Sequence, residues 1–227
     1  MTLSTDRWIP LFPLNTVLLP LGILPLRVFE ARYTDMVRDC MKHDAPFGVV
    51  LIRQGQEVGA AAAPEQIGCL AHIRQWDMHD LGVLLLQTQG GARFRILATR
   101  ETPDHRLEAQ VEMLADDTPT RIGKQHADTT ATLQNVINEV KEQGEAEQGE
   151  AFMYPFPLPT CLDDAAWVAH RWTEILPLPL VDKQRLLMIE DPLARLEAVE
   201  EHLMALGVIQ DLKLPVAASM RRPESLH

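Results

Sequence analysis

The side chains that most often act as nucleophiles in hydrolases are unfavourably placed in this sequence. The serines are Ser4, Ser219 and Ser225, all close to the ends of a chain of 227 residues. A nucleophilic serine needs a neighbouring base and a well-formed turn to hold it, and terminal segments rarely supply either. We therefore expect no Ser–Lys protease dyad.

Cysteine and histidine offer two further candidate sites around Cys69. Cys69 and His72 have the types of a nucleophile and its base, and His72 with His79 has the types of a metal-binding pair. No orienting acid or oxyanion pocket is evident beside the first pair, and no CxxC pair accompanies the second. We favour buried, reduced thiols for Cys40, Cys69 and Cys161, and we predict no metal site.

Phosphate-binding and redox motifs are missing from the sequence as well. The nearest segment, Gly123-Lys124-Gln125, lacks the first glycine of a P-loop and the hydroxyl that would hold magnesium. Neither GxGxxG nor HExxH occurs. The sequence therefore predicts a protein that is not an enzyme and needs no cofactor.

The charge balance argues against a nucleic-acid partner. The chain has 21 Lys and Arg against 32 Asp and Glu, a formal net charge of −11, whereas nucleic-acid binding requires basic side chains that neutralise phosphates. The best basic cluster consists of Arg93, Arg95, Arg100 and Arg106. Outward-facing charges on alternating strands are the simpler explanation of these arginines, and we favour that interpretation.

Neither a signal peptide nor a membrane span is indicated. The amino-terminal residues 1–10 contain Asp6 and Arg7 and lack the basic and apolar regions of a secretory signal. Proline and polar residues interrupt every apolar run before it reaches the ~18 residues that a spanning helix needs. We therefore expect a cytoplasmic protein.

The first half of the chain predicts short strands around one helix. Four prolines interrupt the apolar run 9–26, which excludes a single helix there and favours extended pieces. Helical spacing of apolar residues is confined to 30–42. Gly90-Gly91 separates two extended runs, as either a hairpin turn or a bulge in one bent strand. Residues 8–115 are thus predicted to form a small closed or nearly closed β-barrel.

The second half predicts helices. We expect a helix that starts near Asp117 and Pro119, and we interpret the acidic, glycine-spaced stretch 142–150 as a solvated linker. Asp191-Pro192 has the residue types of an N-cap followed by N1. We divide this half into three parts: an amphipathic helix with the acidic linker at 116–150, a helical subdomain at 151–210 and a loose tail at 211–227.

Several of these segments, in this order, resemble the amino-terminal, substrate-binding domain of Lon-type ATP-dependent proteases. The resemblance covers about residues 8–206. The segments that carry it are IPLFPL at 9–14, LPLRVFEARY at 24–33, FGVVLI at 47–52, IGCLAHI at 67–73, RFRIL at 93–97 and the helical stretch 182–203 around Asp191-Pro192-Leu193. Ala31 stands where the family usually has proline, and Arg27 where it usually has histidine or a similar residue.

The resemblance implies an α+β fold in which a PUA-like β-barrel is followed by a helical bundle. It also implies a non-catalytic module that binds unfolded or extended polypeptide segments, acts as an adaptor, and has a Lon-type protease as a potential partner. The alternative is a PUA-like protein that binds either nucleic acid, through the arginine cluster, or a small ligand.

Large side chains near the junction of the two parts are the candidate peptide contacts. Tyr154, Phe156 and Trp167 lie in or beside the proline-rich segment 152–159. They also suit a packing role between the barrel and the helices, which is the simpler interpretation.

Overall fold

The computed structural model describes residues 8–55, 57, 63–80, 82–149 and 152–209. The predicted tail at 211–227 lies outside them. The strands are β1 (Trp8–Leu14), β2 (Ile23–Val28), β3 (Phe47–Gln54), β4 (Ala63–Pro64), β5 (Ile67–Asp80), β6 (Val83–Glu101) and β7 (Leu107–Met113). The helices are α1 (Ala31–Lys42), α2 (Ala127–Gln148), α3 (Ala165–Ile175), α4 (Leu180–Met188) and α5 (Pro192–Ala205), with a short 3-10 turn at Lys124–His126.

Five of the strands close into a barrel. The order β1-β7-β6-β5-β3 is hydrogen-bonded throughout, and β3 pairs in parallel with β1 to complete the ring. The other pairings in the ring are antiparallel. Closure removes the exposed edges that an open sheet of this size would leave. The α+β fold, with a barrel followed by helices, is confirmed.

The length of β6 explains how one strand serves both the barrel and an outer sheet. Gly90-Gly91 is not a hairpin turn but part of a bulge, where the register between β5 and β6 shifts between Cys69 and Ala71. A Cβ at Gly90 would collide with the carbonyl oxygen of Leu19, so only glycine allows this close approach. Before the bulge, β6 pairs with β2 and β5 in a three-stranded layer.

Helix α1 covers that outer layer. Its apolar face, spaced as the sequence predicts, carries Tyr33, Met36, Val37 and Cys40, all of which are buried. They pack with Leu84 and other apolar residues of the sheets in one core cluster. Burial of each large apolar side chain contributes about 1.5–3 kcal/mol.

The segment after the barrel departs from the prediction. The helix expected near Asp117 and Pro119 begins only at Ala127, because Asp117 is held in a buried ion-pair network instead of capping a helix. The stretch predicted as a solvated linker continues α2 as far as Gln148. Gly144 is buried there, against the ring of Phe152.

The remaining helices begin where local sequence signals predict. The side chain of Asp164 accepts a hydrogen bond from the amide of Ala166 at the start of α3. Asp191 caps α5 in the same way through the amide of Ala194, and Pro192 follows at the first turn. Such caps stabilise a helix by about 1 kcal/mol each. The helices enclose a second apolar core that contains Leu133, Trp172, Leu196, Val199 and Leu203.

Candidate functional site

A groove of about 260 Å³ lies at the junction of the barrel and the helical part. One wall is the outer face of the three-stranded layer, with Ile23 of β2 and Gln87 and Gln89 of β6. The other wall is the segment that connects α2 with α3, with Tyr154 and Leu158 among its residues. We refer to this space as the junction groove.

The connecting segment is extended because of its prolines and is stiffened by its aromatic rings. The Tyr154 ring stands edge-on to Phe152 at 6.4 Å and to Phe156 at 5.6 Å between centroids. These edge-to-face pairs are each worth about 0.5–1.5 kcal/mol beyond simple burial. Leu158 projects with 74% of its surface exposed. The apolar wall is therefore preformed, and an exposed leucine lies at its rim.

Of the three predicted peptide contacts, two line the junction groove. Tyr154 is half-buried and Phe156 only 5% exposed. Burial raises the pKa of the Tyr154 hydroxyl, so the phenol stays neutral at physiological pH. Trp167 lies in α3 within the helical core at 4% exposure, and the guanidinium of Arg171 stands 5.8 Å from its ring centroid. This placement favours the packing interpretation for Trp167.

The polar wall of the groove was missed at the sequence level. Arg74 donates from Nε to the Gln89 side-chain oxygen at 3.0 Å, which orients both side chains over the groove. Gln87 lies beside them. Nothing in the spacing of two glutamines and one arginine distinguishes them from ordinary exposed strand residues, so no sequence signal identifies this wall.

The four arginines of the predicted basic patch do not form one free cationic surface. Arg93 is 4% exposed, pairs with Asp117 at 2.9 Å and donates to the carbonyl of Leu187. The other three are matched by carboxylates: Arg95 by Glu112 and Glu190, Arg100 by Glu108, and Arg106 by Asp39 and Asp104. Neutralised arginines offer little net charge to a phosphate backbone.

Asp117 organises a buried network between the barrel and the helices. Its carboxylate accepts from Arg93, from Arg195 at 2.8 and 2.9 Å, and from His170 Nε2 at 2.8 Å. Burial alone would raise the pKa of Asp117, but the bonds from His170 and Arg195 outweigh it and hold that pKa far below its usual range. Burial also lowers the pKa of His170 to about 4, so this histidine is neutral at pH 7.

The surroundings of Cys69 are those of a buried packing residue and not of a nucleophile. Cys69 is fully buried and its Sγ donates to the carbonyl of Gly91 at 3.2 Å. Burial raises the pKa of the Cys69 thiol to about 12, which leaves no thiolate to act as a nucleophile. Among the residues that the structure describes, no three His, Cys, Asp or Glu side chains cluster as metal ligands. The side chain of His79 lies outside that part.

Within the same described ranges, no helix is long and apolar enough to cross a membrane.

Comparison with known proteins identifies the family. Residues 8–205 match the family model of the ATP-dependent protease La (LON) substrate-binding domain. The chain is similar to the crystal structure of a Lon N-terminal domain protein from Xanthomonas campestris, with a TM-score of 0.69 and 32% identity over 86% of this chain and 98% of that one. It also shares its fold with the N-terminal domain of a Mycobacterium avium complex Lon protease, with a TM-score of 0.58 and 16% identity, covering 86% and 97% of the two chains.

Two curated relatives match part of the chain. Lon protease 2 of Myxococcus xanthus is 31% identical over 112 residues, and the Lon protease of Anaeromyxobacter dehalogenans is 31% identical over 111. Each match covers 48% of this chain and 13% of the relative, so the aligned part is a small fraction of these proteases. The chain belongs to the Lon substrate-binding domain family, which supports a substrate-recognition module.

Proposed function

We propose that this protein is a non-catalytic module that binds extended segments of other polypeptides in the junction groove. The observation that carries the proposal is the groove itself, with a preformed apolar wall of Tyr154, Phe156 and Leu158 facing amide side chains. Such a wall accepts the apolar side chains of a ligand, while the side-chain amides of Gln87 and Gln89 can form hydrogen bonds with the ligand's peptide groups. Membership of a substrate-binding family supports the same class of ligand.

The shape of the groove suits weak, sequence-tolerant binding. A space of about 260 Å³ holds two or three side chains, not a folded domain. An extended peptide also loses conformational entropy when it is ordered, which offsets much of its contact energy. We therefore expect dissociation constants on the order of micromolar or weaker, with little dependence on salt because the groove walls are mostly uncharged.

The same reasoning extends to the protein's role and partners. A recognition module without chemistry of its own acts as an adaptor, and a Lon-type protease is the partner that the family suggests. On this proposal, the protein acts in the cytoplasm. Incubation of the purified chain with casein and ATP should release no peptides above a blank. Cleavage activity that copurifies with the chain through every step would contradict the non-catalytic role.

The binding site can be tested with two exposed residues that differ in position. A fluorescent, uncharged peptide rich in leucine and phenylalanine is titrated against wild type, Leu158→Ser and Met153→Ser. Leu158 is 74% exposed and lines the groove, whereas Met153 is 57% exposed and does not line it. Leu158→Ser should weaken binding by about 1–3 kcal/mol if Leu158 is an anchor, and Met153→Ser should not change it.

Replacement of the less exposed residues separates contact from packing. Tyr154→Ala should weaken peptide binding, whereas Phe156→Ala should mainly lower the melting temperature because Phe156 is 5% exposed. If Leu158→Ser and Tyr154→Ala both leave the affinity intact, the junction groove is not the site. If single-stranded RNA binds more tightly than the peptide and loses affinity steeply with salt, the nucleic-acid alternative replaces the proposal.

A further inference from the structure

The outer part of β5 is an unpaired strand edge. β3 pairs with β5 only over 69–71, whereas β6 accompanies β5 along its whole length. Residues 74–78 are therefore bonded on one side only among the described residues, and all five are exposed. A strand edge presents every second N–H and C=O to the outside, which is a template for another strand.

The side chains of this edge alternate in character. Trp76 and Met78 stand opposite Leu86 and Leu84 of β6, so all four share one face of the sheet. The two leucines are buried beneath α1, but Trp76 and Met78 are 55% and 54% exposed. The apolar face thus extends beyond its cover to the open edge. An incoming strand with apolar residues on this face would continue the same core.

The opposite face of the edge carries an unmatched negative charge. Asp77 lies between Trp76 and Met78 and points to the other side of the sheet by strand periodicity. Its carboxylate accepts from the amide of Met78 at 2.8 Å, and no cation pairs with it among the described residues. The neighbouring cation on β5, Arg74, already donates to Gln89. A lysine or arginine on an added strand would supply the missing partner.

We propose that residues 74–78 of β5 form a strand-addition site for an extended segment of another polypeptide in which apolar residues alternate with lysine or arginine. The apolar residues would pack on Trp76 and Met78, and a basic residue would pair with Asp77. The amide of Met78 would then bond to the incoming backbone. A second copy of this chain fits less well, because two chains that each carry a net charge of −11 repel each other.

This site adjoins the junction groove and shares Arg74 with it, but it differs from the groove in ligand chemistry. The exposed apolar residues of the edge lie on the face that α1 covers, whereas Gln87 and Gln89 face the groove. The edge selects by backbone bonding and charge, and the groove by apolar contact. The two proposals can therefore fail independently.

The probe for the edge is a ten-residue peptide of alternating valine and lysine with blocked ends. Its binding is followed by calorimetry, and its position by hydrogen exchange of the 74–78 amides. We expect a dissociation constant on the order of tens of micromolar at low salt, and exchange at 74–78 slowed at least tenfold at saturation. The same peptide with its four central amides N-methylated should bind at least tenfold more weakly, because those four amides can no longer donate hydrogen bonds.

A charge exchange provides the sharpest control. Asp77→Lys should weaken the valine–lysine peptide at least tenfold and should favour a valine–glutamate peptide instead. Glu139→Lys, an equal charge change at an exposed site on α2, should leave the affinity within about twofold. Leu158→Ser should have no effect, which separates this site from the junction groove.

Three results would overturn the proposal. They are no binding of the probe up to millimolar concentration, equal binding of the N-methylated peptide, and binding without protection of 74–78. Failure of Asp77→Lys to reverse the charge preference would also show that Asp77 does not select the ligand.

Discussion

At the scale of single residues, Asp117 is the centre of a buried ion-pair network. One carboxylate is shared by two arginines and a histidine at distances of 2.8–2.9 Å. Burial of charges is costly, and removal of one partner from such a network leaves others uncompensated. Asp117 therefore holds β6, α3 and α5 together through Arg93, His170 and Arg195, although its neighbours in sequence suggest a simple helix cap.

The neutral, buried His170 should make stability fall as the pH is lowered. Its pKa in the folded chain is about 4, below the ordinary 6.5, so between these values the unfolded chain binds a proton that the folded chain does not. The stabilisation is complete above pH 6.5 and is lost progressively as the pH falls towards 4. Asp117, whose folded pKa is depressed, adds its own loss only below about pH 4, the ordinary pKa of an aspartate.

Urea unfolding of wild type and His170→Gln, at pH 7 and at pH 4.5, measures this effect. Between pH 7 and pH 4.5, wild type should lose about 2–3 kcal/mol more of its unfolding free energy than His170→Gln does. The comparison cancels other groups that titrate in both proteins. An unchanged difference for His170→Gln would mean that His170 is protonated in the folded state.

At the scale of elements, α2 shows how tertiary contact extends a helix into a stretch that composition assigns to a linker. The acidic residues between 142 and 148 lie on solvent-facing sides of α2, which a helix tolerates. The apolar contact that holds this end is Phe152, whose ring packs on the bare backbone of Gly144. A Cβ at Gly144 would collide with that ring.

Gly144→Ala should therefore destabilise the protein, although alanine is the better helix former by about 1 kcal/mol. The expected loss of unfolding free energy is about 1–3 kcal/mol, because a packed ring must shift to admit the methyl group. Gln143→Ala, one residue earlier on an exposed side, should stay within about 0.5 kcal/mol of wild type. A stabilised Gly144→Ala would show that α2 frays before residue 144 in solution.

At the scale of the whole molecule, buried polar contacts join the barrel to the helices. Arg93 of β6 donates to the carbonyls of Leu187 and Ile189 at 3.0 and 2.9 Å. Gln184 of α4 donates to the carbonyl of Ile67 at 2.9 Å, and Arg171 of α3 to that of Pro20 at 2.8 Å. Separation of the two parts would leave several of these groups without partners in apolar surroundings.

The two parts should consequently unfold together. Trp8 and Trp76 report on the barrel, whereas Trp167 and Trp172 report on the helical core. In each variant that keeps tryptophan in only one part, with phenylalanine in the other, tryptophan fluorescence and far-UV circular dichroism should give coincident denaturation midpoints. Two signals of one variant whose midpoints differ by more than the error of either curve would instead establish the barrel and the helices as separable units.

Much of the fold could be predicted from local sequence, because local physics decides it. The spacing of apolar residues in α1, the period-two alternation of β7 and the Asp191-Pro192 start of α5 each depend on residues within one or two turns. The choice between hairpin and bulge at Gly90-Gly91 remained open, since glycine permits both. Only the approach of Leu19 to Gly90 decided it.

The candidate site, by contrast, could be predicted only in part, because distant segments form it. Tyr154 and Phe156 could be singled out by residue type, but their facing wall of Ile23, Gln87 and Gln89 comes from strands far away in the chain. Arg93 resembles a surface cation in sequence, yet its partners include Leu187, 94 residues away, and Asp117. Helix starts, strand periods and the charge balance follow from neighbours in sequence. Which charges are buried, and which strand edge stays open, depends on long-range packing that sequence spacing does not encode.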